Sequence, residues 1–97
     1  MKNTIYFAGT MVQNVPNAPR EFELVHCSGS PLPYLTTSSQ GLKSTAHHAN
    51  LYALSDDNTT AVLADDRGNV ETPATVTLTD FQRALIEQAI AVNFFFS

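Results

Sequence analysis

Residues 79–96, TDFQRALIEQAIAVNFFF, decide the architecture, because they carry a clear helical periodicity in a chain otherwise written in alternation. Thr79 is a good N-cap residue. Gln82, three positions later, completes a capping box, in which each side chain satisfies a backbone amide at the helix start. Asp80 stands where the positive end of the helix dipole favours a carboxylate. Phe81, Leu85, Ala89 and Val92 recur at helical spacing, so that stripe is expected to face a sheet, with the helix running from Asp80 to about Val92. Ile86 and Ile90 form a second apolar stripe, roughly 100–180° away at 100° per residue. Phe94-Phe95-Phe96 follows, and only Arg83 and Glu87, helped by Gln82 and Gln88, give the helix a polar face.

Upstream of the helix the texture is that of strands. Asn69 to Leu78 reads as a last strand interrupted at Pro73, which cannot donate to a ladder and so belongs at an edge or beside a bulge. Asp65-Asp66-Arg67-Gly68 is turn chemistry, with Asp at the first position and Gly at the last. Thr59 to Ala64 and Ala49 to Ser55 read as strands on either side of the Asp56-Asp57-Asn58 turn. At the start of the chain, Thr4 to Gln13 alternates Ile5, Phe7, Gly9 and Met11 against Tyr6, Ala8, Thr10 and Val12. Both faces are fairly apolar, which implies a strand covered on both sides or one at an interface. Gly9 marks a bulge or a close backbone approach. Asn14 to Pro19 is a turn, and Glu21 to Cys27 returns with Phe22 and Leu24 opposite Glu21 and Glu23, making an antiparallel hairpin.

Between the strands, Ser28 to Thr45 contains twelve Ser, Thr, Pro or Gly among its eighteen residues. A structureless loop of that length is uncommon in a compact domain. The segment, about 28–48, is either a functional loop, a partly ordered stretch, or one hiding a short helix or strand. Leu32-Pro33-Tyr34-Leu35 would pin its middle to the core. The expected fold is therefore α+β: an antiparallel β-sheet of four to five strands packed by one C-terminal α-helix, with residues 1–97 forming one domain.

Composition narrows the function classes. Charged residues are 14% of the chain, which is low enough that the surface must be coated with Thr, Ser, Asn and Gln and tolerates packing against another chain. The net charge is −4, and the five basic residues, Lys2, Arg20, Lys43, Arg67 and Arg83, are scattered. A phosphate backbone or an anionic membrane needs cations clustered on one face, so both are disfavoured as partners. Stacking of single-stranded nucleic acid on Tyr6, Tyr34 and Tyr52 lacks the basic groove such binding uses. Cys27 stands alone, no signal-peptide order is visible at the N-terminus, and no apolar run reaches membrane-span length, so a reducing, cytoplasmic setting is expected.

The chemistry-bearing residues are weak candidates. His26 and Cys27 are strand neighbours and point to opposite faces, so His26 does not serve the thiol directly. His47 or His48 could reach it through the fold, yet no nucleophile elbow or cysteine-protease spacing is present. Those two His with His26 lack the spacing of a metal site, and neither HExxH nor a Cys/His pairing occurs. Asp56-Asp57 and Asp65-Asp66 are explained by turn chemistry and lack the alternating oxygen ligands calcium wants. Pro31-Leu32-Pro33-Tyr34 lacks the spacing of a proline-helix ligand. No catalytic residue, cofactor or metal site is assigned.

What remains is the two-sided apolar C-terminal segment. One account has the sheet curl around the helix, so that the phenylalanines fill its core. The other has one stripe pack on the sheet while Ile86, Ile90, Phe94, Phe95 and Phe96 meet a second chain. On the second account the protein is a non-enzymatic interaction module, such as an accessory, inhibitor or assembly subunit. It would bind another protein or a copy of itself, and would suit a viral or mobile-element gene acting in the host cytoplasm. The rival is a small enzyme or enzyme subunit using His47, His48 or Cys27 beneath the 28–45 loop.

Overall fold

In a computed structural model, residues 4–12, 21–26, 30–42, 49–65, 67 and 69–95 are described. The elements in chain order are β1 (Tyr6–Val12), β2 (Glu21–Leu24), β3 (Leu35–Thr36), β4 (Asn50–Leu54), β5 (Thr60–Ala64), β6 (Val70–Thr77) and α1 (Asp80–Ala91). A 3-10 turn over Ser39–Leu42 lies between β3 and β4. The α+β fold expected from the sequence is the one observed, with five strands in the order β2-β1-β4-β5-β6 and β3 as a short sixth.

β1 holds the sheet together. On one side it pairs with β4, setting Phe7 against Tyr52 and Gly9 against Asn50. On the other it pairs with β2 along Gly9 to Val12 and with β3 at Tyr6 and Phe7. All pairings within this sheet are antiparallel, as short connections favour. β6 lies at the far edge, and the β5–β6 register shifts between Val62 and Ala64.

The inner face follows the period-two pattern. Phe7, Tyr52 and Leu63 form one cross-strand row, and Leu54, Ala61 and Val76 form the next. Ile86 and Ala89 of α1 pack into the same core with no exposed surface. The outer face owes its apolar character to alternation across strands. Tyr6, Ala53 and Val62 make one row and Ala8, Leu51 and Ala64 another. In each row a small alanine sits beside a larger neighbour, and all three alanines are buried.

Gly9 solves a packing problem. Phe7, Phe22 and Tyr52 stack over the inner face with ring centroids 5.2–5.7 Å apart. A Cβ on Gly9 would stand 2.9 Å from Cδ2 of Phe22 and 3.4 Å from Cε2 of Tyr52. The glycine marks the close approach that its place in the strand suggested.

The Ser/Thr/Pro/Gly-rich segment does hide short structure. Its middle is pinned by fully buried Leu35, Pro33 and Leu42, with Thr36 and Ser39 also buried. The Ser30 hydroxyl closes a local turn by accepting from the Leu32 amide at 3.2 Å.

Candidate functional site: a groove between the edge strand and the helix

The helix start is built as the capping box implied. The Thr79 hydroxyl accepts from the Gln82 amide at 3.1 Å, and Gln82 Oε1 accepts from the Thr79 amide at 2.8 Å. Gln82 does more than cap. Its Nε2 donates to the Phe22 carbonyl of β2, tying the first turn of the helix to the edge of the sheet. Both ends of one buried amide are thereby satisfied, and among the described residues no buried side-chain polar atom is left unpaired.

This bond sets which way the helix faces, and it corrects the sequence reading. The expected inward stripe was Phe81, Leu85, Ala89 and Val92. Phe81 is instead 73% exposed and Val92 55% exposed, Leu85 is half-buried, and only Ala89 of the four is buried. The inward stripe is Gln82, Ile86 and Ala89. At 100° per residue these three span about 60°, whereas Phe81, Leu85 and Val92 lie about 60–100° round from Gln82. Ile86, read as a partner-binding residue, is wholly enclosed by its own chain and has no surface to offer.

The tail is also partly spoken for. A turn ends the helix, with the Phe94 amide donating to the Ala89 carbonyl at 2.9 Å and the Asn93 amide to the Ile90 carbonyl at 3.0 Å. Asn93 takes the left-handed conformation this motif requires, with φ of 54°. The chain then runs back along β3. The Leu35 amide donates to the Phe94 carbonyl, and Leu35 and Phe95 form a parallel bridge. Tyr34 meets Phe94 edge to face at 4.9 Å. Ile90 and Phe94 are half-buried against the core, and Phe95 remains 38% exposed. Phe96 lies outside the described residues, as do Cys27, His47 and His48.

Beside exposed Phe81 lies a groove of about 460 Å³ between β2 and the first half of α1. Phe22 and Gln82 form its floor, Leu24 and Leu85 its walls, and Phe81 stands on its rim beside Thr79. Glu21, Glu23 and His26, all exposed, complete its lining, the two glutamates from the strand's other face. The only ion pair described nearby is Arg83 with Asp80 at 3.4 Å, on the helix surface. Sequence reasoning named these residues as strand and helix faces but not as a site. No local signal marks them, because the capping box is satisfied whichever way the helix faces and the bond that ties Gln82 to the sheet is made to β2, sixty residues earlier.

Other chemistry is sparse. Asp57, in the β4–β5 turn, accepts from the Thr59 hydroxyl at 2.6 Å, the Ser55 hydroxyl at 2.8 Å and the Thr59 amide at 3.2 Å. Those bonds, the Thr59 hydroxyl first, push its pKa down to about 2. Asp65 similarly accepts from the amides of Arg67 and Asn69 in the next turn. Both carboxylates are organised around their own turns. Among the described residues no group of three His, Cys, Asp or Glu could hold a metal, and no helix is long and apolar enough to cross a membrane.

The arrangement defines a class: a small α+β domain with an apolar groove between an edge strand and its single helix. Compared with family models, curated proteins and solved structures, the chain matches none.

Proposed function

We propose that this chain is a non-enzymatic protein-interaction module, an accessory, inhibitor or assembly subunit, that docks another protein in the β2–α1 groove. The observation that carries the reading is Phe81, 73% exposed on the rim of an apolar groove. Fully burying a Phe side chain contributes about 1.5–3 kcal/mol, so the ring is a ready anchor for a partner. The half-buried Leu24 and Leu85 beside it extend the apolar patch. A cytoplasmic setting belongs to the same proposal and rests on the single cysteine.

The test is co-purification of the tagged full chain with its partner, compared across two exposed helix positions. Phe81→Asp should release the partner while circular dichroism shows the fold retained. Glu87→Lys, on another face of the helix, should keep it. Retention by Phe81→Asp would overturn the reading.

A further inference from the structure

β2 ends the sheet, so one of its backbone edges faces away from β1. In an antiparallel pair, alternate residues direct their amides and carbonyls at the partner strand and the residues between direct theirs outward. The Val25 amide donates to the Ala8 carbonyl at 3.0 Å. With Gly9 opposite Leu24 and Met11 opposite Phe22, this places the Phe22 and Leu24 backbone groups on the outer edge. Among the described residues, it is Gln82 that reaches this edge, and it takes the Phe22 carbonyl. Among the described residues nothing takes the Phe22 amide or either Leu24 group, which face outward.

An unpaired strand edge is a template for another strand, and an adjoining groove receives the alternate side chains of whatever is added. Charge decides the occupant. Glu21 and Glu23 are exposed on the opposite face of β2 from Phe22 and Leu24, on a chain of net charge −4. A second copy pairing edge to edge with its own Phe22 or Leu24 opposite Phe22, inner faces continuous, would set Glu23 against Glu21 or against itself. Like charges directly opposite each other are destabilising. A strand with cations at those positions would instead be attracted.

We infer that the β2 edge takes an extended segment of a partner protein as an added strand. Its apolar residues lie over the groove of Phe22, Leu24, Phe81 and Leu85, and alternate with Lys or Arg opposite Glu21 and Glu23. This deepens the interaction-module reading and rests on it.

The test titrates the isotope-labelled full chain with blocked nine-residue peptides, followed by amide NMR. The probes are an alternating Lys/Val peptide, its Glu/Val counterpart, and two Lys/Val peptides N-methylated at every Val or at every Lys. The Lys/Val peptide should shift the Phe22, Leu24, Phe81 and Leu85 amides and slow hydrogen exchange at Leu24. The Glu/Val peptide should bind at least about tenfold more weakly, and so should one of the methylated pair, which loses the bonds to β2. Strand addition is overturned if the Lys/Val peptide moves no β2 amide at millimolar concentration, or if Glu/Val binds as well. Equal binding of both methylated peptides, or a dimer that already protects Leu24, would overturn it too. Failure of the peptides while Phe81→Asp still releases the partner removes strand addition and leaves the groove. Retention of the partner by Phe81→Asp removes the groove reading itself.

Discussion

Gly9 lies where β1 passes beneath the rings of Phe22 and Tyr52, and Gly9→Ala turns that close approach into a measurable stability change. Alanine in a strand gains about 0.5–1 kcal/mol over glycine by restricting the unfolded chain. Against this, the new Cβ would sit 2.9 Å from Phe22 Cδ2 and 3.2 Å from the Glu23 carbonyl oxygen. The Phe22 ring has little room to retreat, because it stacks on Phe7 at 5.5 Å and on Tyr52 at 5.2 Å. The carbonyl belongs to the β1–β2 ladder and moves only with the strand. Overpacking of this kind costs roughly 1–3 kcal/mol, and with neither neighbour free to retreat it falls in the upper part of that range, so the expected net loss is about 1–2 kcal/mol. For a domain of this size each kcal/mol lowers the melting temperature by about 4–8 °C. Urea titration followed by circular dichroism reads the change directly. Adding Phe22→Leu should shrink the Gly9→Ala penalty by about 1 kcal/mol, a coupling that a double-mutant cycle isolates. Equal or higher stability of Gly9→Ala would refute the packing argument.

Three further predictions follow from the caps and turns. Gln82→Glu keeps an acceptor for the Thr79 amide but sets a carboxylate against the Phe22 carbonyl, so it should cost at least as much as Gln82→Ala, itself about 1–3 kcal/mol. A Gln82→Glu protein as stable as wild type in urea would contradict that bond. Asn93→Ala forces alanine into a left-handed turn and should lose about 1–2 kcal/mol, while Asn93→Gly should be neutral or stabilising by the same assay. The Asp57 carboxyl should titrate with a midpoint near 2 by NMR, because the Thr59 and Ser55 hydroxyls hold its charged form. Its contribution to stability is then present above the unfolded-state pKa of about 3.9 and is lost as pH falls towards 2. A midpoint near 4 would sink that account, and the Thr59→Val protein should show one closer to it.

Much of the fold was legible because local chemistry and global packing agree. Thr79 and Gln82 announced the helix start, alternation placed β1, β2, β4 and β5, and Pro73 called for an edge or a bulge in β6, which ends the sheet and has a register shift against β5. Leu35 gave away the pinned centre of the long polar segment, although a two-residue strand such as β3 carries too few positions for alternation to reveal it. The rotation of the helix was not legible. Two apolar stripes of similar strength compete on α1, and the choice between them is made by a bond from Gln82 to a strand sixty residues earlier. With that rotation goes the site: Ile86 turns from a docking residue into core, and Phe81 from core into rim. The tail was left between filling the core and meeting a second chain because its pairing with β3 is a tertiary contact between segments that show no pattern in common.

The most direct test of the groove as the interaction surface is hydrogen exchange of the full chain, alone and bound to its co-purified partner. The account predicts slowed exchange in residues 21–26 and 79–85, with little change in residues 94–95. Protection confined to the Phe94–Phe95 tail, with the β2 and helix-start amides unaltered, would contradict it.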